Sequence, residues 1–307
     1  MPRQHPPIVN KLLQLWNVVR ESHRQPIAGT QQKPRLVSAE EVGATFIGHS
    51  SFLLQIGGKN VLIDPVFSRY LILLRRQRHP GLRIQDLPPI DAVLLTHAHM
   101  DHLNLPSLRK IIRRTKRLTG HPPEAIVPRN VSDLVAKLGF RKITELEWWQ
   151  DTVVEESEVT VTMTPCKHWG ARMFSDTHRH FGGYVLATAT QSIYHSGDTA
   201  YFSGFREIGR RLHPQTALLP IGAYSPDSYR AVHTSPEEAL QAFQDLGSAA
   251  TFIPMHFGTF PLGQEPMEEP PLRLLAAARK AGIEDQIVVL QEGDTARLIA
   301  SPVIQPV

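Results

Sequence analysis

The chain is 307 residues long, 41% hydrophobic and 20% charged, which supplies enough apolar material for a large core and too little charge for a disordered chain. Its formal net charge is only +4, but the excess is local, in Arg75, Arg76 and Arg78 and again in 109–117 (RKIIRRTKR), which leaves anionic partners open. A single cysteine, Cys166, excludes an intrachain disulfide framework, and the absence of an apolar run of about 18 residues or an apolar signal core at the N-terminus points to a cytoplasmic protein.

Residues 1–40 read as an appendage. Ile8, Leu12, Leu15, Trp16 and Val19 recur at helical spacing, which predicts one amphipathic helix docked on the protein's own body, and HRQPIAGTQQKP then reads as a linker. Residues 41–307 are expected to form one domain. Short β-rich runs (ATFIGHSSFLLQIGG, NVLIDP) surround the Gly57-Gly58 turn, the pattern of an antiparallel meander. An apolar strand over 91–95 runs into THAHMDHLN. The helical pattern of 106–116 follows, with Leu108, Ile111 and Ile112 inward and the basic residues on a solvated face. Strands are predicted at 125–127, 153–154, 159–164, 183–186, 192–195 and 216–219, and a helix at 131–138. Ser235, Pro236 and Glu238 have capping-box spacing with proline at the first helical position, so another helix opens there. A strand at 252–253, a helix over 272–281 and strands at 287–290 and 296–299 close the chain. Two stretches of strands, each followed by helices and without a fixed-period repeat, predict a layered α/β/β/α sandwich.

The chemistry concentrates in His97-Ala98-His99-Met100-Asp101-His102. Four potential ligands within six residues cannot share one face of a strand or helix, so the string must be a loop that presents them from several directions. Imidazole and carboxylate without thiolate suit a catalytic zinc site rather than a closed structural finger. One loop supplies too few ligands for two metals. His168, Asp198 and His256 each follow an apolar strand, as the first motif does, and are the expected remainder. Cys166 reads as a buried side chain. Asp64, in LIDP, is a candidate to orient the metal loop, and His49 and His195 are candidates for similar support.

At these residues the chain resembles the metallo-β-lactamase superfamily. The resemblance implies a four-layer αββα metallo-β-lactamase sandwich and two Zn2+ per chain: His97, His99 and His168 on one, Asp101, His102 and His256 on the other, Asp198 bridging them. His99 stands where flavodiiron-type members carry Glu, which favours zinc over iron. From about residue 42 to 271 the segments LIDPVFS, LPPIDAVLLTHAHMDHLN, ITELEWW, VTMTPCKHWGAR, GDTAYFSGFREIG, LLPIGAYSP, VHTSPEEA and MHFGTF are similar to the N-acyl-phosphatidylethanolamine-hydrolysing phospholipase D family. That likeness implies His233 as a substrate contact and acid. It also places Met100 where the family carries a substrate-contacting tyrosine, which removes a phenolic donor from beside the metals.

The expected activity is therefore zinc-dependent hydrolysis of a phosphodiester, in a lipid of the N-acyl-phosphatidylethanolamine kind, to phosphatidate and an N-acylethanolamine. Asp101, Asp198 and His233 are the candidate catalytic residues. The competing expectation is a lactonase, or a cyclic or soluble phosphodiesterase, of the same fold. Residues 70–74 with Arg75, Arg76 and Arg78 have the composition either to meet acyl chains and anionic headgroups at the inner membrane face or to pack under their own loop. No nucleic-acid-binding module is recognisable, so no such partner is expected. The family likeness points to a homodimer.

Overall fold

The computed structural model describes residues 8–173 and 175–298; residue 299, expected in the last strand, lies outside them, as do the side chains of Ile8, Leu12 and Leu15. In chain order the elements are α1 (Ile8–Arg24), β1 (Val42–Gly48), β2 (Ser51–Ile56), β3 (Lys59–Ile63), β4 (Tyr70–Leu71), β5 (Leu74–Arg75), β6 (Ala92–Leu94), α2 (Leu105–Thr119), β7 (Glu124–Pro128), α3 (Ser132–Val135), β8 (Ile143–Leu146), β9 (Asp151–Val153), β10 (Thr160–Thr164), β11 (Gly183–Ala187), β12 (Ser192–His195), α4 (Gly204–Leu212), β13 (Thr216–Pro220), α5 (Pro236–Leu246), β14 (Thr251–Met255), α6 (Glu269–Ala281) and β15 (Thr295–Leu298).

Period-two alternation builds two cores from each strand. Phe52, Leu54, Ile63 and Leu94 point between the sheets, where they meet Met163, Leu186, Leu218 and Ile253 from the opposite side. The intervening Leu53, Leu62 and Val93 face outward onto Leu108 and Ile111 of α2. On the second sheet Tyr194, Leu219 and Phe252 face outward onto Phe205 of α4, Phe243 of α5 and Leu274 of α6. The strands are therefore apolar on both faces, and each such side chain contributes about 1.5–3 kcal/mol by leaving water. The result is an α/β/β/α sandwich, with a seven-stranded sheet in the order β15-β1-β2-β3-β6-β7-β8 and a six-stranded one in the order β14-β13-β12-β11-β10-β9.

Strand direction positions the site. β3, β6, β7 and β8 are mutually parallel. In the other sheet β12, β13 and β14 are parallel, and β10, two antiparallel steps away, runs in the same sense. The loops after β3, β6, β10, β12 and β14 thus leave the sheets at common edges. Short caps fix the helices that return: Asn104 accepts from the Ser107 N–H at 3.1 Å at the start of α2, and Ser235 and Glu238 form the anticipated reciprocal box on α5.

Several expectations need correction. The strand at 287–290 is a single bridge from Ile287 to Phe252, because the chain there leaves the edge of one sheet to join the other as β15. The helix over 131–138 is a four-residue α3 that tightens into a 3-10 turn at Ala136–Leu138. Neither α4 nor β8 was anticipated. Within the expected linker, Ala28 and Gln32 bridge to Arg78 and Leu82. Arg75 in β5 and Arg76 and Arg78 beyond it make contacts within the protein. Arg76 is buried and donates to the Val66 carbonyl at 2.5 Å, Arg78 pairs with Glu292 at 2.7 Å, and Arg75 donates to the Ser22 carbonyl at the end of α1 at 2.9 Å. Arg75 and Ser22 thereby dock α1 on the body.

Gly209 of α4 sets how closely α4 meets the end of α5: a β-carbon there would lie 1.8 Å from the Leu246 carbonyl oxygen. Gly209→Ala is expected to cost about 1–3 kcal/mol, seen as a lower urea midpoint with an unchanged slope. An unchanged midpoint would contradict this packing.

Candidate metal centre

Each functional side chain sits just past a strand end. Asp64 follows β3, the HAHMDH loop follows β6, and His168, Asp198 and His256 follow β10, β12 and β14. His49, Asp64 and His256 have φ values of 60°, 44° and 61°, a region that costs a non-glycine residue on the order of 1 kcal/mol and turns its side chain off the strand's alternation. Gly222, after β13, has no room for a side chain, because a β-carbon would lie 2.1 Å from the His256 carbonyl oxygen.

The structure brings the seven expected ligands together in overlapping clusters that also take in His49 and His233. His97 Nε2 and His168 Nε2 lie 2.8 and 3.3 Å from His99 Nδ1. Asp101 Oδ2 lies 3.7 Å from His102 Nε2 and 3.9 Å from His256 Nε2. Asp198 Oδ2 stands among these side chains, 3.2 Å from His102 Nε2, 3.0 Å from His256 Nε2 and 4.0 Å from the Nε2 atoms of both His97 and His168. His233 reaches the same place, its Nδ1 3.9 Å from Asp198 Oδ2, while Met100 is half-buried in the motif loop.

The chemistry of these groups fits metal cations. Nε2 of His99, His102 and His256 and Oδ1 of Asp198 are buried with no hydrogen-bond partner among the described residues. Nitrogen lone pairs facing one another near 3 Å repel unless a proton or a cation lies between them. Burial, reinforced by neighbouring histidines, holds His97 well below its ordinary value, and burial brings His168 down to about 3, so both are neutral imidazoles, the form that ligates. Burial opposes ionisation of Asp101 and Asp198, yet His102, together with His49 beside Asp101 and His256 beside Asp198, keeps both carboxyls well below the usual range. Conversely, burial disfavours a charged His102, but Asp198, Asp64 and Asp101 push it well above the ordinary value. The carboxylates thus demand positive charge at this spot, and a set of nitrogen and oxygen donors without thiolate accepts a divalent transition cation.

Hydrogen bonds fix which ring nitrogen faces inward. Asp64 Oδ1 accepts from the Thr96 N–H at 2.8 Å, and its Oδ2 accepts from Thr96 Oγ1 at 2.6 Å and from His102 Nδ1 at 2.7 Å, which leaves His102 Nε2 for the centre. His97 Nδ1 donates to Thr96 Oγ1 at 2.9 Å, and His168 Nδ1 donates to the Val232 carbonyl at 2.9 Å. His49 Nε2 donates to Asp101 Oδ2 at 3.1 Å, so it touches a ligand directly. His195 does not: it binds the Ser50 carbonyl at 2.9 Å and accepts from the Gly197 N–H at 3.1 Å, bracing the loop that carries Asp198. Cys166 is buried outside the groups of potential ligands, and burial keeps it a thiol.

Sequence reasoning missed Thr96, Arg172, Trp169 and the Val232 carbonyl. Arg172 Nη1 donates to the Ala98 and Leu103 carbonyls at 2.9 and 3.0 Å and so clamps both ends of the motif loop. Trp169, partly exposed, sets its ring edge-on to His99 at 4.2 Å. Position beside His97 or His168 was the available signal for Thr96 and Trp169, whereas Arg172, four residues beyond His168, and a backbone carbonyl leave none.

A cluster of this kind at the strand ends of a two-sheet sandwich is that of a metal-dependent hydrolase. Residues 59–257 match the model of the β-lactamase superfamily domain, and the chain belongs to that superfamily. It is 29% identical over 231 residues to N-acyl-phosphatidylethanolamine-hydrolyzing phospholipase D 1 of Caenorhabditis elegans, an alignment that covers 72% of this chain and 65% of that protein. A UPF0173 metal-dependent hydrolase of Caldivirga maquilingensis is 32% identical over 224 residues, 73% of this chain and 86% of its own length. The fold is shared with Igni18, a metallo hydrolase of Ignicoccus hospitalis, at a TM-score of 0.63 and 23% identity over 84% of this chain and 98% of that one.

Asp64→Asn keeps the size of the side chain but replaces one accepting oxygen with a donor, so His102 loses the partner that sets its tautomer. Metal affinity, measured by competition with a chelator, is expected to fall about 10–100-fold. Wild-type affinity in this variant would remove Asp64 from the role assigned to it.

Proposed function

We propose that the protein is a dinuclear zinc phosphodiesterase of the phospholipase D type, acting on lipids of the N-acyl-phosphatidylethanolamine kind. The observation that carries this reading is the set of overlapping ligand clusters that share Asp198, in a chain similar to a phospholipase of that specificity. His97, His99 and His168 would hold one zinc, Asp101, His102 and His256 the other. When bound, the pair supplies Lewis-acid polarisation of phosphoryl oxygens and acidifies the attacking water.

The chain's own residues do the rest. Asp64, Thr96 and Val232 set the histidine tautomers, and Arg172 fixes the loop, so little reorganisation is left for the reaction. His233, which burial brings down to about 4, is neutral near neutral pH and offers one N–H to a phosphoryl or leaving-group oxygen. Water adds to phosphorus, the bond from phosphorus to the ethanolamine oxygen breaks, and the departing oxygen takes up a proton. Phosphatidate and an N-acylethanolamine result.

A lipid substrate has to be reached at a surface, and the β4–β5 hairpin supports such contact. Ile72 and Leu73 at its tip are 75% and 61% exposed, and Ile72 has φ 55°, an unfavourable backbone for a β-branched residue. Exposed Tyr70 stacks on His23 of α1, with the Arg69 guanidinium 5.7 Å over its ring. Here apolar side chains, rather than the arginines that follow them, would meet the bilayer. The half-buried Met100 in the motif loop favours the second reading, a smaller soluble phosphodiester or lactone substrate.

Purified zinc-loaded protein is expected to release N-acylethanolamine from N-acylated phosphatidylethanolamine and to leave plain phosphatidylethanolamine intact. Turnover of soluble bis-aryl phosphates or lactones with no lipid product would replace this reading by the second one. Ile72→Ser with Leu73→Ser should lower sedimentation with vesicles by about tenfold or more, without loss of activity on a soluble ester; equal sedimentation would remove the hairpin from the membrane contact.

A further inference from the structure

The second basic cluster lies partly along a cleft rather than only on a solvated helix face. α2 carries Arg109, Lys110, Arg113, Arg114, Lys116 and Arg117 and no acidic residue. Three like-charged pairs four residues apart, Arg109 with Arg113, Lys110 with Arg114 and Arg113 with Arg117, work against the helix, whereas mixed signs would serve solubility as well. The row is also not facing open water alone. Lys110, Arg113, Arg114 and Arg117 form one wall of a cleft of about 530 Å³, and Arg83 projects into the same space from the segment before β6. Among the described residues no acidic side chain lines the cleft, and Asp86, in the adjoining turn, is taken up by Arg83. Of these cations only Arg83 has a carboxylate partner among the described residues, Asp86 at 2.5 Å. Arg114 Nε is buried and unpartnered, although its Nη2 reaches the Leu87 carbonyl at 3.3 Å.

We propose that this cleft is a binding site for a phosphorylated ligand carrying at least two negative charges, separate from the metal centre. A concave wall of one charge sign concentrates anions, and arginines are the side chains best matched to phosphoryl oxygens. From Lys110 to Arg117 the cations are spread over about 10 Å of helix, too far for one monovalent anion to satisfy. Phe67, Leu82 and Ile84 add an apolar portion to the lining, suited to a ligand with a carbon skeleton. None of the seven metal-ligand candidates lines the cleft, so the proposal stands whatever the metal centre hydrolyses. Two sources share this chemistry: a free polyphosphorylated molecule, and the headgroup of an acidic phospholipid, which the exposed hairpin following Phe67 and Ser68 would bring within reach.

The test titrates the full-length protein with inorganic tripolyphosphate by calorimetry and sediments it with vesicles of phosphatidylcholine, with or without phosphatidate. Wild type is expected to bind tripolyphosphate, or to prefer the phosphatidate vesicles, at physiological salt. The triple variant Lys110→Ala, Arg113→Ala, Arg117→Ala, altered only at exposed positions, should lose about tenfold or more in that affinity, with bound metal and thermal midpoint unchanged. Asp198→Asn, which damages the metal centre, should keep it. Tripolyphosphate binding alone identifies a soluble ligand, and a phosphatidate preference identifies a headgroup; both uphold the site. Binding that survives the triple variant but is lost in Asp198→Asn places the anion on the metal centre and overturns the proposal, as does wild type that binds neither probe.

Discussion

Two carboxylates, Asp101 and Asp198, are held among seven histidines at the edge of the sandwich, and their demand for positive charge organises the residues around them. An isolated buried carboxylate costs several kcal/mol, and in the structure Asp198 Oδ2 is met by imidazole nitrogens at 3.0 and 3.2 Å. Histidines alone satisfy that demand poorly, because burial and mutual repulsion keep His97, His99 and His168 neutral. Cations bound between the nitrogen and oxygen donors answer both problems together. This is why the same residues that look unsatisfied as a protein interior make a coherent set as a metal site.

The scaffold serves that cluster through rigidity. Strands packed on both faces are held by close side-chain complementarity in two cores, so the loops at their ends start from fixed points. Local strain is then concentrated where it turns side chains inward, at His49, Asp64 and His256. Thr96, Asp64, Arg172 and the Val232 carbonyl remove the remaining freedom of the ligands by hydrogen bonds to ring nitrogens and loop carbonyls.

Two arginine-rich segments with similar composition meet opposite fates. Arg76 and Arg78 turn inward to carbonyls of the adjoining loop and to Glu292, while the arginines of α2 keep their charges largely unpaired along a cleft. The difference lies in the partners the fold supplies. Glu292 is brought to Arg78 just before β15, whereas among the described residues no carboxylate pairs with a basic side chain of α2.

The order of residues along the chain determined much of this protein. Two stretches of strands, each followed by helices, pointed to two facing sheets, the HAHMDH string could only be a loop of ligands, and the positions of His168, Asp198 and His256 after apolar strands marked them as its expected partners. Capping of α5 was equally legible, because its box is built from side chains three residues apart. Tertiary structure alone decided what depends on distant approach: that His49 touches Asp101 while His195 braces a backbone, that a carbonyl at Val232 sets the tautomer of His168, and that Arg76 is buried. Short-range pattern is a property of neighbouring residues, but a hydrogen bond across tens of residues exists only once packing has fixed where both groups lie.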